Sequence, residues 1–155
     1  MSEAVRGSAA PLFDRLAPQA GATNGPLIVG IGQLRRSIGV ELSRLLGTRS
    51  GLTFEQFVAS DGGVIGYGIP DASALSMRSI EDRATLRAAI AHGIALYCPR
   101  LSNVAIEIDE GAVCGADARV RIGGTMRLGA LTERATFAMR SGVEIPRVAA
   151  GENGE

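Results

Sequence analysis

The order of hydrophobic patterns predicts an α+β fold, with N-terminal helices followed by a small antiparallel sheet of about three strands. Two segments with helical spacing of apolar residues, 33–46 and 79–97, precede three segments of alternating character, 104–108, 116–128 and 134–140. The connections between the alternating segments are short, which favours hairpin neighbours over crossover helices.

From Gln33 to Leu46 the apolar residues Leu34, Ile38, Leu42, Leu45 and Leu46 form one stripe, with Arg35, Arg36, Glu41 and Arg44 off it. This is a helix with one buried face, and Gly47 is placed to end it as a C-cap. Phe54, Phe57 and Val58 after Thr53 predict a second, brief helix. Glycines at 62, 63, 66 and 68 then break regularity before Ile69-Pro70-Asp71. Ser79 opens the longest helix, with Asp82 three residues on as a variant of the capping box. Leu86, Ile90, Ile94 and Tyr97 continue one face, and Pro99 disfavours helical geometry at Cys98, where the helix should stop.

Beyond that corner, Val104, Ile106 and Ile108 alternate with Asn103, Ala105 and Glu107, the signature of a half-buried strand. Asp109-Glu110-Gly111 is a turn signal. In the second strand, 116–128, Ala118, Val120 and Ile122 alternate against Arg119 and Arg121, with a bulge or bend expected at Gly123-Gly124. The third, 134–140, sets Ala135, Phe137 and Met139 on one face. Residues 27–148 thus read as a single domain. Residues 1–26, rich in Ala, Gly, Ser and Pro, read as a flexible tail, and 149–155 as a disordered one. Within the first tail, Leu12, Phe13 and Leu16 form an apolar island at 12–16. It is either a helical turn folded back on the domain or a short peptide that docks onto a partner.

A chain of 155 residues, 46% hydrophobic and 21% charged, suits one soluble globular domain. Its 16 basic and 16 acidic residues cancel, which argues against nucleic acid or an anionic membrane as the main partner. No apolar run approaches the ~20 residues that span a bilayer, and no basic segment followed by an apolar stretch opens the chain, so a cytoplasmic location without membrane insertion is expected. Cys98 and Cys114 are isolated from each other, which suggests neither a zinc site nor a disulfide framework.

Each candidate for chemistry has a plainer explanation. Gly30-Ile31-Gly32 after Leu27-Ile28-Val29 suggests a phosphate-binding turn, but Arg35 stands where the third glycine belongs and no strand-helix-strand repeat follows. His92, the single histidine, cannot build a multi-histidine metal site and suits helix packing. Ser37, Ser60 and Ser79 lack the setting of an esterase nucleophile. Glu107 and Asp109 share one strand face, the pairing of carboxylates that a glycosidase needs, yet Arg119 and Arg121 on the neighbouring strand point to cross-strand ion pairs. No catalytic, cofactor-binding or metal-binding residue is therefore expected, and no small-molecule substrate.

Cys98-Pro99-Arg100-Leu101, at the corner from helix to strand, is the third of three ordered blocks. Leu45-Leu46-Gly47-Thr48-Arg49 and Tyr67-Gly68-Ile69-Pro70-Asp71 precede it. Together they resemble the signature blocks of the TssE family, type VI secretion baseplate subunits related to a wedge protein of contractile phage tails. The usual family pattern has Leu-Leu-Asn-Thr-Arg, Tyr-Gly-Leu-Pro-Asp and Glu-Pro-Arg-Leu, and the island at Leu12 to Leu16 resembles the family's N-terminal leucine-aromatic segment. The resemblance implies a non-enzymatic structural subunit at an inner-membrane-docked baseplate, whose partners are other wedge subunits and the base of the contractile sheath. It implies structural or assembly roles for Arg49, Tyr67, Gly68, Pro70, Asp71, Pro99, Arg100 and Leu101, and sheet edges offered to sheath strands. The equivalent wedge subunit of a phage tail or tailocin is the first alternative, and a peptidoglycan hydrolase the second. Cys98 stands where the family has glutamate, so Arg100 needs carbonyls, another acidic residue or a partner protein, and Asp71 is the first expected partner.

Overall fold

The computed structural model describes residues 30–111, 114–128, 130–140 and 143–144. The tail segments 1–26 and 149–155, with the island at 12–16, lie outside the described residues. Helix α1 spans Ile31–Gly47, α2 Phe54–Val58 and α3 Ile80–Tyr97, followed by β1 Leu101–Ile108, a 3-10 turn Gly115–Asp117, β2 Arg119–Leu128, β3 Leu131–Arg140 and the short β4 Val143–Glu144. The strands form one antiparallel meander in the order β1-β2-β3-β4. The expected α+β order stands, with β4 extending the three long strands by two residues on the β3 side.

Periodicity places the helices well. In α1 the residues Leu34, Ile38, Leu42 and Leu45 are buried, and in α3 Leu86, Ala89, Ile90 and Ile94 are. These stripes meet the inner sheet face, where Val120, Ile122, Met126, Phe137 and Met139 are buried, in one hydrophobic cluster. Full burial of each large apolar side chain contributes about 1.5–3 kcal/mol, so the stripes hold the two layers together. Phe57 from α2 and Ile69 from the following loop join the same cluster. At one edge of it, the Arg35 guanidinium lies 5.0 Å from the Phe137 ring centroid and donates to Thr136 O at 3.1 Å.

Capping departs from expectation in detail. Gly47 is the last helical residue of α1, and Thr48 is the cap, with extended backbone (φ −101°, ψ 134°) and its hydroxyl donating to Arg44 O at 2.7 Å. A left-handed glycine cap is therefore absent at this end; the chain turns directly into an extended segment. For α2 a full capping box forms: Thr53 Oγ1 accepts from Gln56 N at 3.3 Å and Gln56 Oε1 from Thr53 N at 3.1 Å. For α3, Ser79 Oγ accepts from Asp82 N at 3.2 Å, but the Asp82 carboxylate takes Ser76 N at 2.8 Å instead of closing the box on Ser79.

The irregularity expected at Gly123-Gly124 falls on the opposite strand. Both glycines keep regular register with β3, while β1 shifts between Ser102 and Ala105, so that Asn103 and Val104 together face Gly124. Asn103 takes φ 49° to make the bulge. A side chain at Gly124 would lie 2.7 Å from Leu101 Cδ1, so glycine is what lets the bulged strand close over β2.

The extended segment after α1 pairs with the glycine-rich loop. Ser50 N donates to Ile69 O at 3.0 Å and Ile69 N to Thr48 O at 2.9 Å, a parallel bridge of Arg49 with Ile69. Gly68, at φ +110°, sits so close that a Cβ would lie 2.5 Å from Thr48 O. Gly68→Ala is expected to destabilise the domain by at least about 2 kcal/mol, through both backbone strain and collision with a paired carbonyl. Urea denaturation measures the difference, and an unchanged midpoint would contradict this account of the bridge.

Candidate functional site

The three sequence blocks converge on one corner of the molecule. The bridge joins the first block to the second, and Arg49 Nε lies 3.9 Å from Asp71 Oδ1 across it, both side chains exposed. Such a surface pair contributes little to stability. Asp71 is held mainly by its own loop: Oδ1 accepts from Ser73 N and Oδ2 from Ser73 Oγ, each at 3.0 Å. Those two hydrogen bonds, and then the Arg49 charge, hold the Asp71 carboxyl below its ordinary pKa. Ile69 and Pro70 are buried beneath.

The second and third blocks meet through rings. Tyr67 and Tyr97 pack edge to face with centroids 5.1 Å apart, and Tyr97 Oη donates to Gly63 O at 3.0 Å. Burial raises the Tyr67 phenol above its ordinary pKa, in spite of the nearby Arg44. Leu101 is buried in the core, Arg100 is half-buried and Pro99 is exposed.

Arg100 does not pair with Asp71, which corrects the expectation from sequence: Asp71 is already engaged by Ser73 and Arg49. Among the described residues Arg100 has no hydrogen bond or ion pair. The carboxylate of the corner comes instead from α1. Cys98, at 1% exposure, donates its thiol to Glu41 Oε2 at 3.4 Å. Burial, followed by the Glu41 charge, pushes the Cys98 thiol up to about 12. Sequence spacing could not reveal this anion, because Glu41 lies one helix away, off the apolar stripe.

The remaining candidates fall into structural roles. His92 Nε2 lies 2.9 Å from Ser60 O, and its ring meets Phe57 edge to face at 5.5 Å, tying α3 to the end of α2. Glu107 pairs with Arg121 directly across the ladder at 2.9 Å, with side chains 71% and 66% exposed, while Asp109 turns back to accept from Gly111 N at 3.0 Å. Neither carboxylate sits in the apolar pocket that a glycosidase acid needs. Arg83, only 13% exposed, was not singled out by the sequence pattern; it pairs with Glu110 at 2.9 Å and donates to Met77 O at 2.7 Å, fastening α3 to the β1–β2 turn. Among the described residues no group of three or more His, Cys, Asp or Glu side chains is placed to hold a metal, and no helix is long and apolar enough to cross a membrane.

A groove of about 330 Å³ runs below the corner, lined by Leu46, Ile69, Ile90, Ala118 and Met139, with Arg49 at its rim. Above the corner, the glycine loop lifts Val64 and Ile65 to 95% and 93% exposure. The corner is a junction of three chain segments, and its thiol–carboxylate contact, Cys98 with Glu41, is part-buried and holds the thiol protonated instead of activating it.

Cys98 should resist iodoacetamide in the folded protein at pH 8, while the partly exposed Cys114 reacts; mass spectrometry of the labelled chain distinguishes them. The raised folded pKa, against an ordinary value of 9.0, also fixes a pH window. The stability contributed by the protonated thiol is complete below pH 9 and lost as pH rises toward 12. Cys98→Ala should accordingly flatten the alkaline decline in stability, and an equally steep decline would contradict the assignment.

Among curated proteins and among solved structures nothing matches this chain. A family model does: that of Baseplate wedge protein gp25 matches residues 32–130, from the second residue of α1 to the β2–β3 turn, and so takes in all three blocks and the corner they build. TssE, whose blocks the sequence resembles, is the type VI homologue of gp25. With more than half of its length matched, the chain belongs to the gp25 family of baseplate wedge proteins, a structural family whose members assemble with other baseplate proteins.

Proposed function

We propose that the protein is a non-enzymatic subunit of a type VI secretion baseplate, acting in the cytoplasm to join wedge subunits to the base of the contractile sheath. The observation that carries this reading is the outer edge of β1. Among the described residues no strand pairs with it, although it is eight residues long. The opposite margin differs: β4 covers Met139 and Arg140, and Arg35 caps the Thr136 carbonyl. That margin is covered in part, while among the described residues the β1 edge is left open, as β-augmentation by a sheath strand requires.

The geometry of that edge specifies its donors. Asp109 turns its N–H inward to Arg119 O at 2.9 Å, so along the regular register Ile106 and Ile108 turn their backbone groups outward. In this reading the corner residues are scaffold. Arg49, Tyr67, Gly68, Pro70 and Asp71 fix the loop against α1, while Pro99 and Leu101 aim the first residues of β1. Arg100, lacking an anion among the described residues, supplies a guanidinium to an incoming carboxylate or carbonyl. Leu12, Phe13 and Leu16 are assigned to docking on a neighbouring wedge subunit. The family description itself favours a second reading, the wedge subunit of a contractile phage tail or tailocin, which uses the same edge on a different sheath.

Co-purification of the tagged full chain with the baseplate and sheath subunits of its own cell tests this. Wild type and Ile106→Ala should capture sheath subunits, whereas Ile106→Pro, which removes an outward N–H, should lose them with its melting cooperativity intact. Arg100→Ala should weaken capture without lowering Tm by more than a few degrees. A chain that captures none of these subunits, or an Ile106→Pro variant that captures them normally, would sink the proposal.

A further inference from the structure

The sheet face turned away from the helices carries a charge pattern that folding does not explain. Arg119, Arg121 and Arg127 of β2 and Arg134 and Arg140 of β3 all project from this face and are exposed. Between them the face is built of small residues, Ala105, Gly123, Thr125, Thr136 and Ala138. Arg119 lies directly opposite Arg140 in the ladder, and like charges so placed destabilise a sheet. Glu107 neutralises Arg121. Among the described residues Arg119, Arg127, Arg134 and Arg140 have no hydrogen bond or ion pair. Asp109, the other acidic residue at this margin, already accepts from Gly111 N.

We infer that this outer sheet face docks a carboxylate-bearing segment of a partner protein, laid over the small-residue centre with acidic side chains reaching the arginines at both ends. The span from Arg119 to Arg127 is about 26 Å, at ~3.3 Å per strand residue, which a helix covers in about 18 residues. Small side chains at the centre let such a backbone approach closely. Arginine suits the role, since its fork binds carboxylates through two parallel hydrogen bonds. Nucleic acid fits less well. Among the described residues the face presents no aromatic side chain for base stacking, Glu107 and Asp109 line one margin, and the whole chain is neutral. The inference rests on the assembly role proposed above only in taking the partner to be a protein, and it uses the sheet face, not the β1 edge.

The full chain titrated with poly-L-glutamate, and separately with a short DNA duplex, tests it by calorimetry and amide chemical shifts. Polyglutamate should bind at low salt, shift the amides of Gly123 and Thr136, and lose roughly tenfold or more in affinity for the variant carrying Arg127→Glu and Arg134→Glu. Arg119→Glu, which turns a like-charge pair into an opposite one, should weaken binding while holding or raising Tm. Arg87→Glu on α3 serves as the control and should bind as wild type. Ile106→Pro should also bind polyglutamate as wild type, which separates a failure here from a failure at the edge. Absence of polyglutamate binding, equal affinity in the Arg127→Glu and Arg134→Glu variant, or tighter binding of the duplex on this face would each overturn the inference.

Discussion

Two backbone hydrogen bonds, Ser50 N to Ile69 O and Ile69 N to Thr48 O, are what the rest of the structure depends on. They bind the exit of α1 to a loop that has no regular structure of its own. Once Ile69 is fixed, its side chain enters the core between Leu45 of α1 and Gly93 of α3, and Pro70 beside it is buried as well. The loop beyond it then pairs Ser76 with Cys114, which ties the start of α3 to the β1–β2 connection. Gly68 is the residue that permits this, because at φ +110° against a carbonyl it leaves no room for a side chain. The second sequence block is therefore defined by backbone demands first and by side-chain chemistry second.

Most of the layer architecture was legible in the sequence, and for a simple reason. The spacing of Leu34, Ile38, Leu42 and Leu45, or of Ala135, Phe137 and Met139, records which face meets the core, and both sets are buried as their periods require. Features settled by pairing between distant segments were not legible. Gly123-Gly124 signals an irregular strand, but nothing local says that the extra residue sits on β1 at Asn103 and Val104. Gly47 looks like a helix terminator, yet the bridge to Ile69 draws Thr48 into extended geometry and leaves no place for a left-handed cap. The site was legible as three blocks and illegible as a network: the blocks do converge, while the partners of Asp71 and Cys98 were fixed by Ser73 and Glu41, residues outside the blocks' own pattern.

At the corner the anion sits on a neighbouring helix and not at the end of α3 itself. The end of α3 carries the Cys98 thiol, and Glu41 on α1 brings an anion to it. A buried thiol that donates to a half-exposed carboxylate leaves the end of α3 itself without a formal charge.

The contact between Arg35 and the β3 segment at Thr136 and Phe137 bears on how the chain is made. Thr136 is 101 positions from Arg35, whereas the strands of the meander are each paired with their sequence neighbours. During synthesis α1 leaves the ribosome with its leucine stripe facing water, and the sheet that covers it exists only after residue 137 has emerged. Hairpin pairing of β1, β2 and β3 is local and fast, but closure of the two layers waits until β3 has been made. The interval in which α1 remains uncovered is thus set by the position of β3 in the gene, and it is the period in which a nascent chain of this fold most needs a chaperone.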